Sequence, residues 1–177
     1  MAEIKNHGLV QVYTGDGKGK TTAAFGLAMR ASGKGLSVLI IQFLKGRQDF
    51  GEVLSTRHLP RIKIEQFGTG KLIDANNITK EDEIQANKAL DRARIAVKSR
   101  EADMIILDEI NVAIMFKMIK LQDVLDLLES KPKNLELVMT GRGAKPEVIN
   151  LADYVTEMIP KKHPFESGQK AREGIEY

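Results

Sequence analysis

An α/β fold built on a mostly parallel sheet of about six strands is predicted by three features of this 177-residue sequence. Short apolar runs alternate with longer amphipathic segments along the chain. Two of the runs, Val38-Leu39-Ile40-Ile41 and Met104-Ile105-Ile106-Leu107, are unbroken, as strands covered on both faces require. The segments between strands carry apolar residues at helical spacing and stop at glycine, proline or polar turns. The implied form is one doubly wound domain over residues 1–177, with helices on both faces and ligands at the carboxyl edge of the strands.

The elements follow in order. Leu9 to Thr14 alternates around Val10, Val12 and Thr14 and reads as a strand. Thr21 to Ser32 is helical, with Ala24, Leu27, Ala28 and Ala31 on one face and Gly33 and Gly35 to end it. Ser37 to Phe43 is a buried strand, Gly51 to Leu59 a short helix stopped at Pro60, and Ile62 to Phe67 a third strand. Thr79 and Asp82 have the spacing of a helix cap, and Ala86, Leu90, Ala93 and Val97 then repeat at helical intervals. Met104 to Leu107 is a strand ending at Asp108; Ile110 to Ile119 and Leu121 to Ser130 read as two helices. Leu135 to Thr140 is a strand, Pro146 suits the first turn of a short helix, and Tyr154 to Ile159 is a last strand. The tail from Lys161 is polar and lacks periodicity.

Composition narrows the function. The chain is 42% hydrophobic and 29% charged, as expected of a soluble globular protein. It has no cysteine, which excludes disulfides and thiolate metal sites. Met1 to Gly8 has no apolar segment of signal-peptide type and no run reaches membrane-spanning length, so a cytoplasmic protein without membrane partners is expected. A net charge of +3, spread along the chain, is too small for a nucleic-acid footprint.

Three motifs fall at the carboxyl edge of the expected sheet. Gly15-Asp16-Gly17-Lys18-Gly19-Lys20-Thr21-Thr22 follows the first strand and opens a helix, the context of a P-loop whose backbone N–H groups form an anion nest. Lys20 is placed to reach terminal phosphates and the Thr21 hydroxyl to ligate Mg²⁺ or Mn²⁺. Five residues before Gly19 stands Thr14 rather than glycine, so the loop is one residue shorter than the standard pattern. Asp108-Glu109 ends a buried strand, where acidic residues orient a metal and its waters; the order of the two acids does not say which one touches it. Thr140-Gly141-Arg142-Gly143 ends another strand, and its arginine suits phosphate contact. His7 and His58 lack partners at metal-ligand spacing, His163 between Lys162 and Pro164 reads as a surface or packing residue and not a catalyst, and Met115 and Met118 read as core residues.

These motifs, with Gln42-Phe43-Leu44-Lys45-Gly46 and the tail Lys162-His163-Pro164-Phe165, Gly168-Gln169-Lys170-Ala171 and Gly174-Ile175-Glu176-Tyr177, resemble the ATP:corrinoid adenosyltransferases. The match runs from Leu9 to Tyr177. The resemblance implies a RecA-like P-loop fold and a homodimer. It also implies transfer of the 5′-deoxyadenosyl group of MgATP to the cobalt(I) of a corrinoid, with release of triphosphate. A reductase would supply the cobalt(I). It assigns Gly15 to Thr22 to ATP, Thr21 and Glu109 to Mg²⁺, and Arg142 to the phosphates; from the motifs themselves Asp108 stays a second candidate metal ligand, and Lys20 with Arg142 is the expected catalytic pair.

Relatives carry aromatic residues after the third strand that crowd the corrinoid. Here the loop is Gly68-Thr69-Gly70-Lys71-Leu72-Ile73-Asp74, and Leu72 and Ile73 are the expected corrinoid contacts. Two other readings share the phosphate motifs. One is a phosphotransferase or ATPase releasing ADP; the other is a non-catalytic nucleotide-dependent corrinoid-binding module.

Overall fold

The computed structural model describes residues 7–71, 73 and 77–176. Six strands form one sheet, β1 (Val10–Thr14), β2 (Val38–Phe43), β3 (Ile62–Phe67), β4 (Met104–Asp108), β5 (Glu136–Thr140) and β6 (Tyr154–Glu157). Their order is β3-β2-β4-β5-β1-β6, and every neighbouring pair is parallel. The helices are α1 (Lys20–Gly33), α2 (Gly51–Thr56), α3 (Lys80–Ser99), α4 (Ile110–Met115), α5 (Leu121–Glu129) and α6 (Pro146–Leu151). The tail adds one 3-10 turn at Pro164–Ser167.

Why the central runs are apolar at every position is visible in the packing. Strand side chains alternate between faces. Leu39, Ile41 and Phe43 of β2 and Ile105 and Leu107 of β4 join a core shared with α3, α4 and α5. Val38, Ile40, Met104, Ile106 and Val138 point the other way, onto Ala24, Ala28 and Ala31 of α1. The alanine stripe lets α1 lie close against the sheet, which brings its N-terminus over the carboxyl ends of β1 and β4. The edge strand β6 pairs only with β1 and all four of its residues are exposed.

Two helix ends differ from the sequence expectation. The segment read as one helix from Ile110 to Ile119 stops at Met115, and Lys117 takes a left-handed φ of 57°. Lys117 N–H then donates to the Ile114 carbonyl and Met118 N–H to that of Ala113, the reciprocal closure of a Schellman cap. Glycine usually marks that position, and a lysine gives no warning. Helix α2 ends at Thr56 rather than Leu59, where bonds of 3-10 spacing take over.

The expected start of α3 is present as a full capping box. Asp82 N–H donates to Thr79 Oγ1, and the Thr79 N–H and hydroxyl donate to Asp82 Oδ2 at 3.0 and 2.6 Å. Those hydrogen bonds, led by the Thr79 hydroxyl, hold the Asp82 carboxyl below its usual pKa. Thr79→Ala is expected to cost about 1 kcal/mol of unfolding free energy. A group with a depressed folded-state pKa stabilises above its unfolded pKa and stops doing so as pH falls through the folded value. Urea unfolding of both proteins should therefore show a gap that is full at neutral pH and shrinks in acid.

Candidate active site

The phosphate loop crosses from β1 to α1 in five residues, and glycine is what makes that possible. Gly15 and Gly19 have φ of 89° and 122°, in the region that side chains disfavour. At Gly17 the reason is space: a Cβ there would stand 2.7 Å from the Met158 carbonyl oxygen. Gly17 N–H donates to that oxygen at 2.7 Å, and Met158 N–H donates to Thr14. The shortened loop is thus tied down on the segment after β6. This corrects one expectation: the Gly17 N–H is engaged by protein, leaving the nest to the other loop N–H groups and the unpaired first turn of α1.

Lys20 curls back over the loop. Its ammonium donates to the carbonyls of Gly15 and Gly17 at 2.7 and 2.8 Å, and burial pulls its pKa down. Those two carbonyls are weak partners that an anionic ligand can replace. Opposite, Gly141 N–H donates to Tyr13 and Ala144 N–H to Thr14 Oγ1, so the glycine-flanked turn is pinned to the end of β1. Arg142 projects from it, exposed, with its Nε 3.9 Å from Asp16 Oδ1. An exposed pair at that separation contributes little and leaves the guanidinium available.

At the centre is Asp108, with no exposed surface. Its Oδ1 accepts from Thr21 Oγ1 at 2.9 Å and Thr140 Oγ1 at 2.7 Å. Its Oδ2 accepts from Gln42 Nε2 at 3.0 Å and Lys45 Nζ at 2.8 Å. A carboxylate offers about four lone-pair sites, and all are taken. Burial opposes this charge, yet the Lys45 ammonium and the hydrogen bonds hold the Asp108 pKa below the usual carboxylate range.

Glu109 is placed differently. It turns into the left-handed region at φ 66°, and its N–H donates to Thr140 Oγ1 at 2.9 Å. Its carboxylate accepts no hydrogen bond from the described residues and lines the cavity beside Lys20 and Thr21. Burial, then the Asp108 charge, raises its pKa. A strained residue whose carboxylate has no hydrogen-bond partner among the described residues is a candidate cation ligand. The donor set fits Mg²⁺: Thr21 gives its proton to Asp108 and keeps lone pairs outward, and Glu109 supplies a hard anionic oxygen. Among the described residues no group of three or more acidic or histidine side chains forms a protein-only metal cage. Mg²⁺ bound largely by nucleotide phosphates needs none.

These residues open onto a cavity of about 1150 Å³, larger than a drug-sized ligand needs. Its lining mixes charged and polar groups, among them Lys18, Lys20, Thr21, Lys45, Glu109 and Arg142, with the apolar side chains of Phe50, Ile73, Val112, Met115 and Phe116. Ile73 also packs on the core, and Leu72 lies outside the described residues. Met115, expected in the core, is a wall of this cavity, whereas Met118 is buried as expected. The sequence reading missed Phe50, Val112 and Phe116 because no motif contains them. It also missed Lys45, although Lys45 stands within the quoted segment after β2. The tail closes one side. Lys18 Nζ donates to the Ile175 carbonyl and to Glu176 at 3.0 and 2.9 Å, and Arg172 pairs with Glu176.

The family model for ATP:corrinoid adenosyltransferases of the BtuR/CobO/CobP type matches residues 6–177. The chain belongs to that family. A corrinoid adenosyltransferase from Sinorhizobium sp is 38% identical over 173 residues, spanning 96% of this chain and 80% of its own length. The corrinoid adenosyltransferase of Escherichia coli K12 is 36% identical over 173 residues, spanning 96% and 86%. Among solved structures, a KaiC-like protein from Pyrococcus horikoshii OT3 aligns with a TM-score of 0.56 at 14% identity, covering 86% of this chain and 72% of that one. That likeness bears on the P-loop fold alone. No described helix of this adenosyltransferase-family chain is long and apolar enough to cross a membrane.

Lys20→Ala removes the one ammonium seated inside the loop. Turnover of ATP with a reduced corrinoid should fall by about a hundredfold or more, with the thermal melt close to that of the parent protein.

Proposed function

We propose that the protein transfers the 5′-deoxyadenosyl group of ATP to the cobalt(I) of a corrinoid and releases triphosphate. The observation that carries this reading is a cavity whose lining combines the phosphate loop and its cationic groups with a set of apolar side chains, in a chain of this family. The cationic groups suit a triphosphate, and the apolar side chains of Phe50, Ile73, Val112, Met115 and Phe116 suit a flat, largely apolar corrinoid.

The chemistry asks little acid–base work of the protein. Cobalt(I) attacks the ribose 5′ carbon with its electron pair, the bond from C5′ to the phosphate oxygen breaks, and triphosphate takes that pair away. Cobalt becomes formally cobalt(III) and no proton moves. The chain must align the two reactants and stabilise charge on the leaving group. Lys20, Arg142 and the loop N–H groups face that charge, and they gain most as it departs. Thr21 and Glu109 hold Mg²⁺, which screens the phosphates. Asp108 acts from behind by fixing Thr21. A homodimer, a reductase that supplies cobalt(I), and a cytoplasmic location complete the proposal, on the resemblance alone.

Identification of the phosphate product tests this reading. Incubation with MgATP and chemically reduced cobalamin should yield triphosphate and a cobalt–carbon bond in equal amounts. ADP would indicate phosphoryl transfer, and no product a binding module. Phe116→Ala should raise the corrinoid KM about tenfold while leaving the ATP Kd unchanged, because the ring belongs to the apolar lining and not to the phosphate loop. Glu109→Gln should raise the Mg²⁺ concentration for half-maximal activity. In the parent protein that concentration should climb as pH falls through the raised Glu109 pKa, since only the ionised carboxylate binds metal; the variant should lose this dependence.

A further inference from the structure

The mechanism above leaves Lys45 without a task, although among the described residues it is the only ammonium bonded to Asp108. Lys45 follows Leu44, whose left-handed φ of 62° is unusual for a branched side chain and turns the loop after β2 back toward the end of β4. The lysine side chain is only 18% exposed. Its Nζ lies 2.8 Å from Asp108 Oδ2 and 3.7 Å from Glu52 Oε1. Burial works against its charge, but the Asp108 carboxylate more than compensates, and its pKa is raised. It stays an ammonium.

The other bond to Oδ2 is equally constrained. Asp108 can only accept, so Gln42 must present its NH₂ and turn its oxygen outward. Gln66 Nε2 donates to that oxygen at 2.9 Å, and Gln48 Nε2 donates to Gln66 Oε1 at 2.7 Å. The amide orientations follow one another from the carboxylate to the exposed loop. Oδ2 is therefore closed from both sides, by a cation and by an amide that cannot flip.

We infer that Lys45 is a positioning residue that stands where a divalent cation would meet Asp108, keeping Asp108 out of the metal's coordination and leaving Thr21 and Glu109 as the side-chain ligands. The inference rests on the metal-nucleotide reading above. A buried carboxylate beside Glu109 would otherwise be a strong direct ligand and could hold the cation away from the phosphates. With Lys45 in place, Asp108 orients the Thr21 hydroxyl instead, and the cation remains shared with the nucleotide. Removing Lys45 should then strengthen metal binding, the reverse of what loss of an ordinary site residue does.

The test is binding of Mn²⁺ alone, read as the free-ion EPR signal at pH 8, for the full chain and its variants. Lys45→Met should bind Mn²⁺ about tenfold more tightly than the parent, because Oδ2 is freed. Lys45→Arg keeps a cation on Asp108 and should match the parent. Adding Asp108→Asn to Lys45→Met should abolish the gain. Lys45→Gln, with a neutral donor that is easier to accommodate, repeats the Met experiment should that variant not fold. Unchanged or weaker Mn²⁺ binding in folded Lys45→Met or Lys45→Gln overturns the inference. So does a gain that survives Asp108→Asn, or a parent protein that binds no Mn²⁺ with or without ATP. Failure of the adenosyl-transfer reading is seen separately, as absence of triphosphate from ATP and reduced cobalamin while the Mn²⁺ pattern holds.

Discussion

The Asp108 carboxylate is the contact on which the site depends. It carries charge at zero exposure, and four donors from four separate segments satisfy it: Thr21 of α1, Gln42 of β2, Lys45 of the following loop and Thr140 of β5. A buried ion pair that loses one partner costs about 3–5 kcal/mol, so these segments cannot drift apart independently. The parallel register sets the approach, since Gln42 stands beside Asp108 in the β2–β4 pairing. Sheet geometry and site geometry are thereby the same constraint. The core supplies the stability and Asp108 converts it into a fixed position for Thr21.

Two adjacent carboxylates then do opposite things. Asp108 is held charged by its partners and faces inward; Glu109 accepts no hydrogen bond from the described residues, is pushed toward the neutral form by burial and the Asp108 charge, and faces the cavity. The chain direction changes between them because Glu109 adopts a left-handed turn before α4. Thr140 links the two, donating to Asp108 and accepting the Glu109 N–H. One hydroxyl therefore fixes both the inner acid and the backbone of the outer one. The same strand end leads into Gly141 and Arg142, so the proposed phosphate-contact turn and the acidic pair share a single support.

Much of this was legible in the residues. Pattern located the strands: β2 and β4 as unbroken apolar runs buried on both faces, β1 by its alternation, and the helices by their wider repeat. The capping box at Thr79 and Asp82 could be read from spacing, since both partners lie within one turn. The Schellman cap at Lys117 could not, because its left-handed residue is imposed by packing and lacks the usual glycine. The phosphate loop was visible because its chemistry is local. The apolar wall was not: Phe50, Ile73, Val112, Met115 and Phe116 are scattered along the chain and meet only in space.

By itself, then, the sequence determined the α/β class, the phosphate loop, the acidic pair at a strand end and the family. Each is written in neighbouring residues or in a repeat with fixed period. Only the tertiary structure decided which acid lines the cavity, what Lys45 touches, and which apolar side chains share that cavity with the phosphate loop. Those outcomes depend on strands distant in sequence. Lys45 and Asp108 are 63 positions apart, and Thr21 and Asp108 are 87. Their contact follows from β2 and β4 being neighbours and from α1 packing on both, and no local pattern encodes a hydrogen bond across that gap.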